Sequence, residues 1–162
     1  MVIWAHGLEG APTGRKANAL REAGFDLVAP DGRKKTLAER LPALNEAIAA
    51  HPGALLVGSS YGGLASAYLA GLCGDSLCGV VLLAPALHWN EAPIEDASAL
   101  RIPQNLPCTV IHGVNDAVVP VAVSRALAKR CPHVQLIEVD DGHTLAGSLD
   151  VMVRIVGAHL RR

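Results

Sequence analysis

Six short apolar runs, each bounded by Gly, Pro or Asp, alternate along the chain with segments of helical spacing, and this alternation leaves few folds open. The runs are Val2–Ala5, Phe25–Ala29, Ala54–Val57, Gly79–Ala84, Cys108–Ile111 and Val134–Val139. They are continuous apolar patches more than alternating ones, the pattern of parallel strands covered by helices on both faces. Between them apolar residues recur three and four apart: Ala17 and Leu20 after Thr13; Leu37, Leu41, Leu44 and Ile48 after Thr36; Leu64, Tyr68 and Leu72; Val123 and Leu127; and Leu145, Leu149, Met152, Val156 and Leu160. Five helices alternating with six strands predict an α/β fold, a doubly wound six-stranded parallel sheet with helices on both faces. Ligands of such a sheet bind beyond the carboxyl ends of its strands.

Local signals mark several boundaries. Thr36 with Glu39 has the spacing of a capping box, Pro120 suits a first helical turn, and Gly24 suits a helix C-terminus just ahead of the second strand. Pro42 fits poorly inside the second helix, which is expected to start nearer Leu41 or to bend there. The 162 residues, 51% hydrophobic and 18% charged, suit one well-buried core, so residues 1–162 read as a single domain. Only Pro85–Pro107 has no clear periodicity.

Composition narrows the partners. A net charge of −1 and five aromatic residues argue against nucleic acid, which calls for a cationic surface and stacking platforms. The longest apolar stretches fall well short of a membrane span. No export signal is visible ahead of the first strand. Cys73, Cys78, Cys108 and Cys131 have the spacing of neither a zinc knuckle nor a disulfide framework, so free thiols and a cytoplasmic location are expected.

The third strand runs into Gly58-Ser59-Ser60-Tyr61-Gly62 with a helix directly behind, which places Gly-x-Ser-x-Gly in the strand-turn-helix context that gives the motif its meaning. A turn this tight lifts the Ser60 hydroxyl above the sheet and requires glycine on either side. Ser59 is expected to face away. A serine hydroxyl needs a base, and the base needs a group that fixes its tautomer. The strand ends supply both. His143 follows the sixth strand and opens the last helix; Asp116 follows the fifth. Asp140 and Asp141 are the alternative carboxylates, with capping of the last helix as their other reading. His51, His112, His133 and His159 read as local or solvated, and His88 as a candidate pocket residue.

An attacked carbonyl becomes an oxyanion that requires two fixed donors. The backbone N–H of Tyr61 is one candidate. The N–H of Leu8, in the glycine-loosened turn His6-Gly7-Leu8-Glu9-Gly10, is the other, with His6 bracing that turn. Leu8, Tyr61, Leu87, Trp89, Val118 and Leu145 are the expected lining of an open pocket suited to a small acyl group. Glu9, Arg15 and Lys16 read as a solvated face, with selection of a charged substrate as the alternative. Gly10–Lys16 lacks the spacing of a phosphate-binding loop, and no standard metal site is present, so neither cofactor nor metal is expected.

Taken in order, His6-Gly7, the Gly58–Gly62 turn, Ala84-Pro85, His112-Gly113, Asp116 and Gly142-His143 resemble the landmarks of the α/β-hydrolase superfamily over nearly the whole chain. The order Ser60, Asp116, His143 is that family's order. The short chain, with Gly10-Ala-Pro-Thr13 followed by Lys16 and Leu20, resembles the small lidless bacterial esterases grouped as YqiA-like. Two departures stand out. The first strand already carries the oxyanion-loop signature, so the two strands that usually precede it are missing, and Pro85–Pro107 is too short for a cap domain. The resemblance implies a minimal α/β-hydrolase fold. It also implies a serine hydrolase of small carboxylic esters or thioesters, with an amidase, a small peptidase or a non-catalytic binding protein of the same fold as alternatives.

Overall fold

A computed structural model describes residues 1–161. The strands are β1 (Val2–Ala5), β2 (Leu27–Val28), β3 (Ala54–Ser59), β4 (Leu77–Leu83), β5 (Cys108–Gly113) and β6 (Gln135–Val139). They form one sheet in the order β2-β1-β3-β4-β5-β6, and every neighbouring pair is parallel. The helices are α1 (Arg15–Glu22), α2 (Leu37–Ala50), α3 (Tyr61–Cys73), α4 (Val121–Arg130) and α5 (Leu149–Leu160).

The sheet divides two apolar clusters. On one face Leu37, Leu41 and Leu44 of α2, Leu64 of α3 and Leu127 of α4 pack on Ile3, Leu56 and Leu82. On the other, Ala17 and Leu20 of α1 and Met152 and Val156 of α5 pack on Val2, Leu55 and Val81. Successive strand residues therefore feed opposite faces while both remain apolar, which is why the strands read as unbroken hydrophobic runs. The segment between β4 and β5 lays Ile94, Ala97, Ile102 and Leu106 into the first cluster, so it packs on the body of the fold and forms no cap domain.

Chain punctuation acts where the spacing places it. Gly24 adopts φ +85°, its N–H bonds the Arg21 carbonyl, and the N–H of Phe25 bonds the Leu20 carbonyl, a Schellman close to α1. That close draws Phe25 into the turn and leaves β2 only two residues long. Thr36 and Glu39 form the reciprocal capping box of α2. The box fixes the helix start at Leu37, so Pro42 lies inside the helix, on its exposed side.

The last helix departs from the expected pattern. It begins at Leu149, six residues beyond His143. Leu145 takes φ +51°, and the Asp141 carboxylate accepts from the N–H groups of Gly142 and Gly147 and from the Ser148 hydroxyl. Those bonds hold residues 141–148 as a loop, because a left-handed residue cannot continue a right-handed helix. All four cysteines are free. No helix among the described residues is long and apolar enough to cross a membrane.

Candidate functional site

Ser60 joins β3 to α3 with φ 53° and ψ −114°, a conformation that costs a non-glycine residue about 1–3 kcal/mol and persists only where its surroundings over-determine it. Here they do. Its N–H bonds the Leu83 carbonyl at 2.8 Å, and its own carbonyl accepts from Leu64 at 3.0 Å and Ala86 at 3.1 Å. The flanking glycines are required by close approach. A Cβ on Gly58 would meet the Gly62 carbonyl and the Ser66 side chain, and one on Gly62 would run into the Ala5 carbonyl of β1.

Three loops at the carboxyl edge of the sheet bring the remaining groups to Ser60. His143 Nε2 lies 2.9 Å from Ser60 Oγ, and His143 Nδ1 lies 2.7 Å from Asp116 Oδ2. With Nδ1–H donating to the carboxylate, Nε2 is left to accept the serine hydroxyl. Asp116 Oδ1 accepts from the N–H groups of Val118 and Val119, both at 2.8 Å. Burial of Asp116 favours its neutral form, but the hydrogen bonds from His143, Val119 and Val118 outweigh it and hold the carboxyl below its ordinary range.

Of the alternative carboxylates, Asp140 accepts from the Asn115 side chain at 2.8 Å and Asp141 ties its own loop. Neither is bonded to His143. His112, read as a local histidine, does more. Fully buried, it places Nε2 2.9 Å from the Val119 carbonyl and 3.2 Å from Asp116 Oδ2, while Ser124 Oγ lies 2.6 Å from Nδ1. It therefore braces the carboxylate from behind.

The turn after β1 closes through the Gly10 N–H on the Gly7 carbonyl. That carbonyl also takes His6 Nδ1 at 2.8 Å and lies 3.5 Å from Arg40 Nη1, which donates to the His6 carbonyl at 2.9 Å. His6 Nε2 accepts the Gly32 N–H, so the ring braces two loops at once. Because the N–H of a trans peptide points opposite to its C=O, this arrangement turns the Leu8 N–H away from Arg40. Arg40 itself is 4% exposed, and its guanidinium stacks 4.6 Å from the Tyr61 ring centroid. Sequence reasoning missed it. The available signal was a charged residue on the apolar stripe of α2, three positions after Leu37 and four before Leu44.

Ser60 and His143 open onto a cavity of about 740 Å³. Leu8, Tyr61, Trp89 and Val118 line it as expected, and so does His88. Leu87 and Leu145 do not. Both are almost wholly buried, Leu87 in the cluster under α2 and α3 and Leu145 in the cluster under α1 and α5. The neighbours of Leu87, buried Ala86 and exposed His88, line the cavity in its place, and the left-handed turn at Leu145 sends its side chain inward. Ser59, expected to face away, is buried but also edges the cavity. Lys16, read as part of a solvated face, is half-buried in the cavity wall.

A family model for an uncharacterised protein family, UPF0227, matches residues 1–97, more than half of the chain. The chain belongs to UPF0227. No curated protein matches. Among solved structures, this UPF0227 chain is 26% identical to a protein of the alpha/beta hydrolase superfamily from Xanthomonas campestris pv. campestris, with a TM-score of 0.83 over 99% of this chain and 96% of that one. Mouse alpha/beta hydrolase domain-containing protein 10 is 18% identical, with a TM-score of 0.84 over 99% and 89% of the two chains. Est1E from Butyrivibrio proteoclasticus, solved with ferulic acid bound, is 19% identical, with a TM-score of 0.77 over 98% and 87%. The UPF0227 chain is thus an α/β hydrolase of minimal form, in the YqiA-like branch that its sequence landmarks resemble.

Proposed function

We propose that this chain is a serine hydrolase that cleaves small carboxylic esters or thioesters through an acyl-enzyme. One observation carries the reading: an unbroken hydrogen-bond relay from Asp116 through His143 to a strained Ser60 at the mouth of a cavity.

In the proposed reaction Ser60 Oγ attacks the carbonyl carbon as His143 Nε2 takes its proton, and Asp116 stabilises the imidazolium that forms. The tetrahedral oxyanion is held by the N–H of Tyr61, at the open N-terminus of α3, and by the N–H of Leu8, which the crowded Gly7 carbonyl turns away from Arg40. His143 returns the proton to the leaving alcohol or thiol. Water then repeats the sequence on the acyl-enzyme. Leu8, Trp89 and Val118 remain partly or largely exposed at the rim, which suits a short acyl group.

Stoichiometric labelling by a fluorophosphonate, lost in Ser60→Ala, tests the reading. Turnover of p-nitrophenyl butyrate should fall by about a million-fold in Ser60→Ala and by about ten-thousand-fold in Asp116→Asn. A folded protein that neither labels nor turns over any ester, thioester or amide is the binding protein of the alternative reading. Loss of activity in Asp140→Asn or Asp141→Asn, with Asp116→Asn near normal, would reassign the acid.

A further inference from the structure

We infer that the substrate carries an anionic group, a carboxylate or phosphate, bound by Lys16 on the α1 side of the cavity while its reacting carbonyl lies at Ser60. The inference rests on the hydrolase reading above and narrows its substrate class.

The cavity straddles the carboxyl edge of the sheet, so the two sheet faces give it two different walls. Tyr61 and Trp89, paired edge to face with ring centroids 6.2 Å apart, come from the α2–α3 side with Val118 nearby and form an apolar wall. The opposite wall is the start of α1, where Gly14, Arg15 and Lys16 line the cavity above Trp4. One wall is apolar and the other cationic.

Lys16 has no hydrogen bond or close ion pair among the described residues. Burial pulls its pKa down, against an opposing pull from Asp141 and Asp116. Those two carboxylates act only at a distance and are already engaged: Asp141 with Gly142, Gly147 and Ser148, Asp116 with His143, Val118 and Val119. A half-buried cation with no counter-charge in contact is costly. Lys16 thus presents an unspent set of charged donors to the cavity, and that calls for an explanation.

Helix stability does not supply one. The first turn of α1 carries two cations and no acidic residue, the reverse of what the helix dipole favours. Arg15 stands exposed at the rim, where one nitrogen donates to the Ala146 carbonyl at 3.3 Å and the others remain for a ligand. Glu9 is the one carboxylate among the residues lining the cavity, and it is exposed at the rim. An anion held at Lys16 supplies the missing contact partner through charge-assisted hydrogen bonds.

Two substrate pairs test this and tell apart an anion on the acyl side from one on the alcohol side: mono-p-nitrophenyl adipate against p-nitrophenyl heptanoate, and para-(butanoyloxy)benzoate against its methyl ester. In one pair the wild-type kcat/KM should favour the anionic member by about tenfold or more. Lys16→Met should lower that anionic-to-neutral ratio by about tenfold, and Lys16→Glu should lower it further. Lys16 is half-exposed, so both variants should fold, and fluorophosphonate labelling of each confirms an intact site. A ratio that stays the same in Lys16→Met for both pairs overturns the inference while the hydrolase reading stands. Absence of both turnover and label in the wild type removes the hydrolase reading, and the inference with it.

Discussion

At Gly62 a single methyl group decides whether the turn beneath Ser60 can form. Its Cβ would occupy the space of the Ala5 carbonyl, and neither strand backbone nor helix backbone can yield there. Gly62→Ala should therefore lose about 3 kcal/mol or more in urea unfolding, or fail to fold. Ser66, four residues on, gives the opposite result. Its hydroxyl is wholly buried and unpartnered among the described residues, so Ser66→Ala should be neutral or stabilise by up to about 1 kcal/mol in the same measurement. Residue identity was legible wherever chemistry restricts the choice: Ser60, Asp116 and His143 lie at strand ends with spacings few other side chains satisfy. Which way an apolar side chain turns was not legible. Leu87 and Leu145 have the same hydrophobicity facing a cavity or facing a core, and only backbone geometry separates the two.

Among the elements, α2 connects packing to chemistry. Its apolar stripe buries Arg40 along with Leu37 and Leu44, and the guanidinium reaches the His6 and Lys35 carbonyls. Arg40→Lys keeps the charge, but one ammonium cannot reproduce the planar fork that spans both carbonyls. The turn carrying Leu8 should loosen, and, under the proposed serine hydrolase reading, kcat for p-nitrophenyl butyrate should fall by about 10–100-fold with a smaller change in KM. An unchanged kcat would show that the turn holds its shape without the guanidinium. Periodicity located the helices because α1, α2, α4 and α5 each bury one face, whereas α3 is buried over most of its surface and was marked mainly by the Gly-x-Ser-x-Gly turn that opens it. It misplaced the start of α5 because the apolar residue at 145 continues the helical spacing into a loop. That loop is fixed by Asp141 accepting three bonds, a contact pattern that no periodicity encodes.

For the molecule as a whole, pH acts through the same loops. Burial holds the His6 imidazole below its usual pKa of 6.5, where Nε2 must stay unprotonated to accept the Gly32 N–H. The unfolded chain therefore takes up this proton first, so stability is full above about pH 6.5 and declines as pH falls below it. Asp116 has the same sign at lower pH. Its depressed folded pKa gives a contribution present above the unfolded value of 3.8 and lost as pH falls through the folded one. The urea midpoint should drop between about pH 7.5 and about pH 5.5, and drop less in His6→Asn. An equal drop in that variant would assign the effect to other groups.

The sheet order carries one more consequence. Ser60 and its glycines lie in the first half of the chain, whereas Asp116 and His143 arrive with β5 and β6 at the far edge. A polypeptide still emerging from the ribosome holds its alcohol long before the imidazole is synthesised. Under the proposed hydrolase reading, a nascent chain stalled short of residue 143 should therefore not label with a fluorophosphonate.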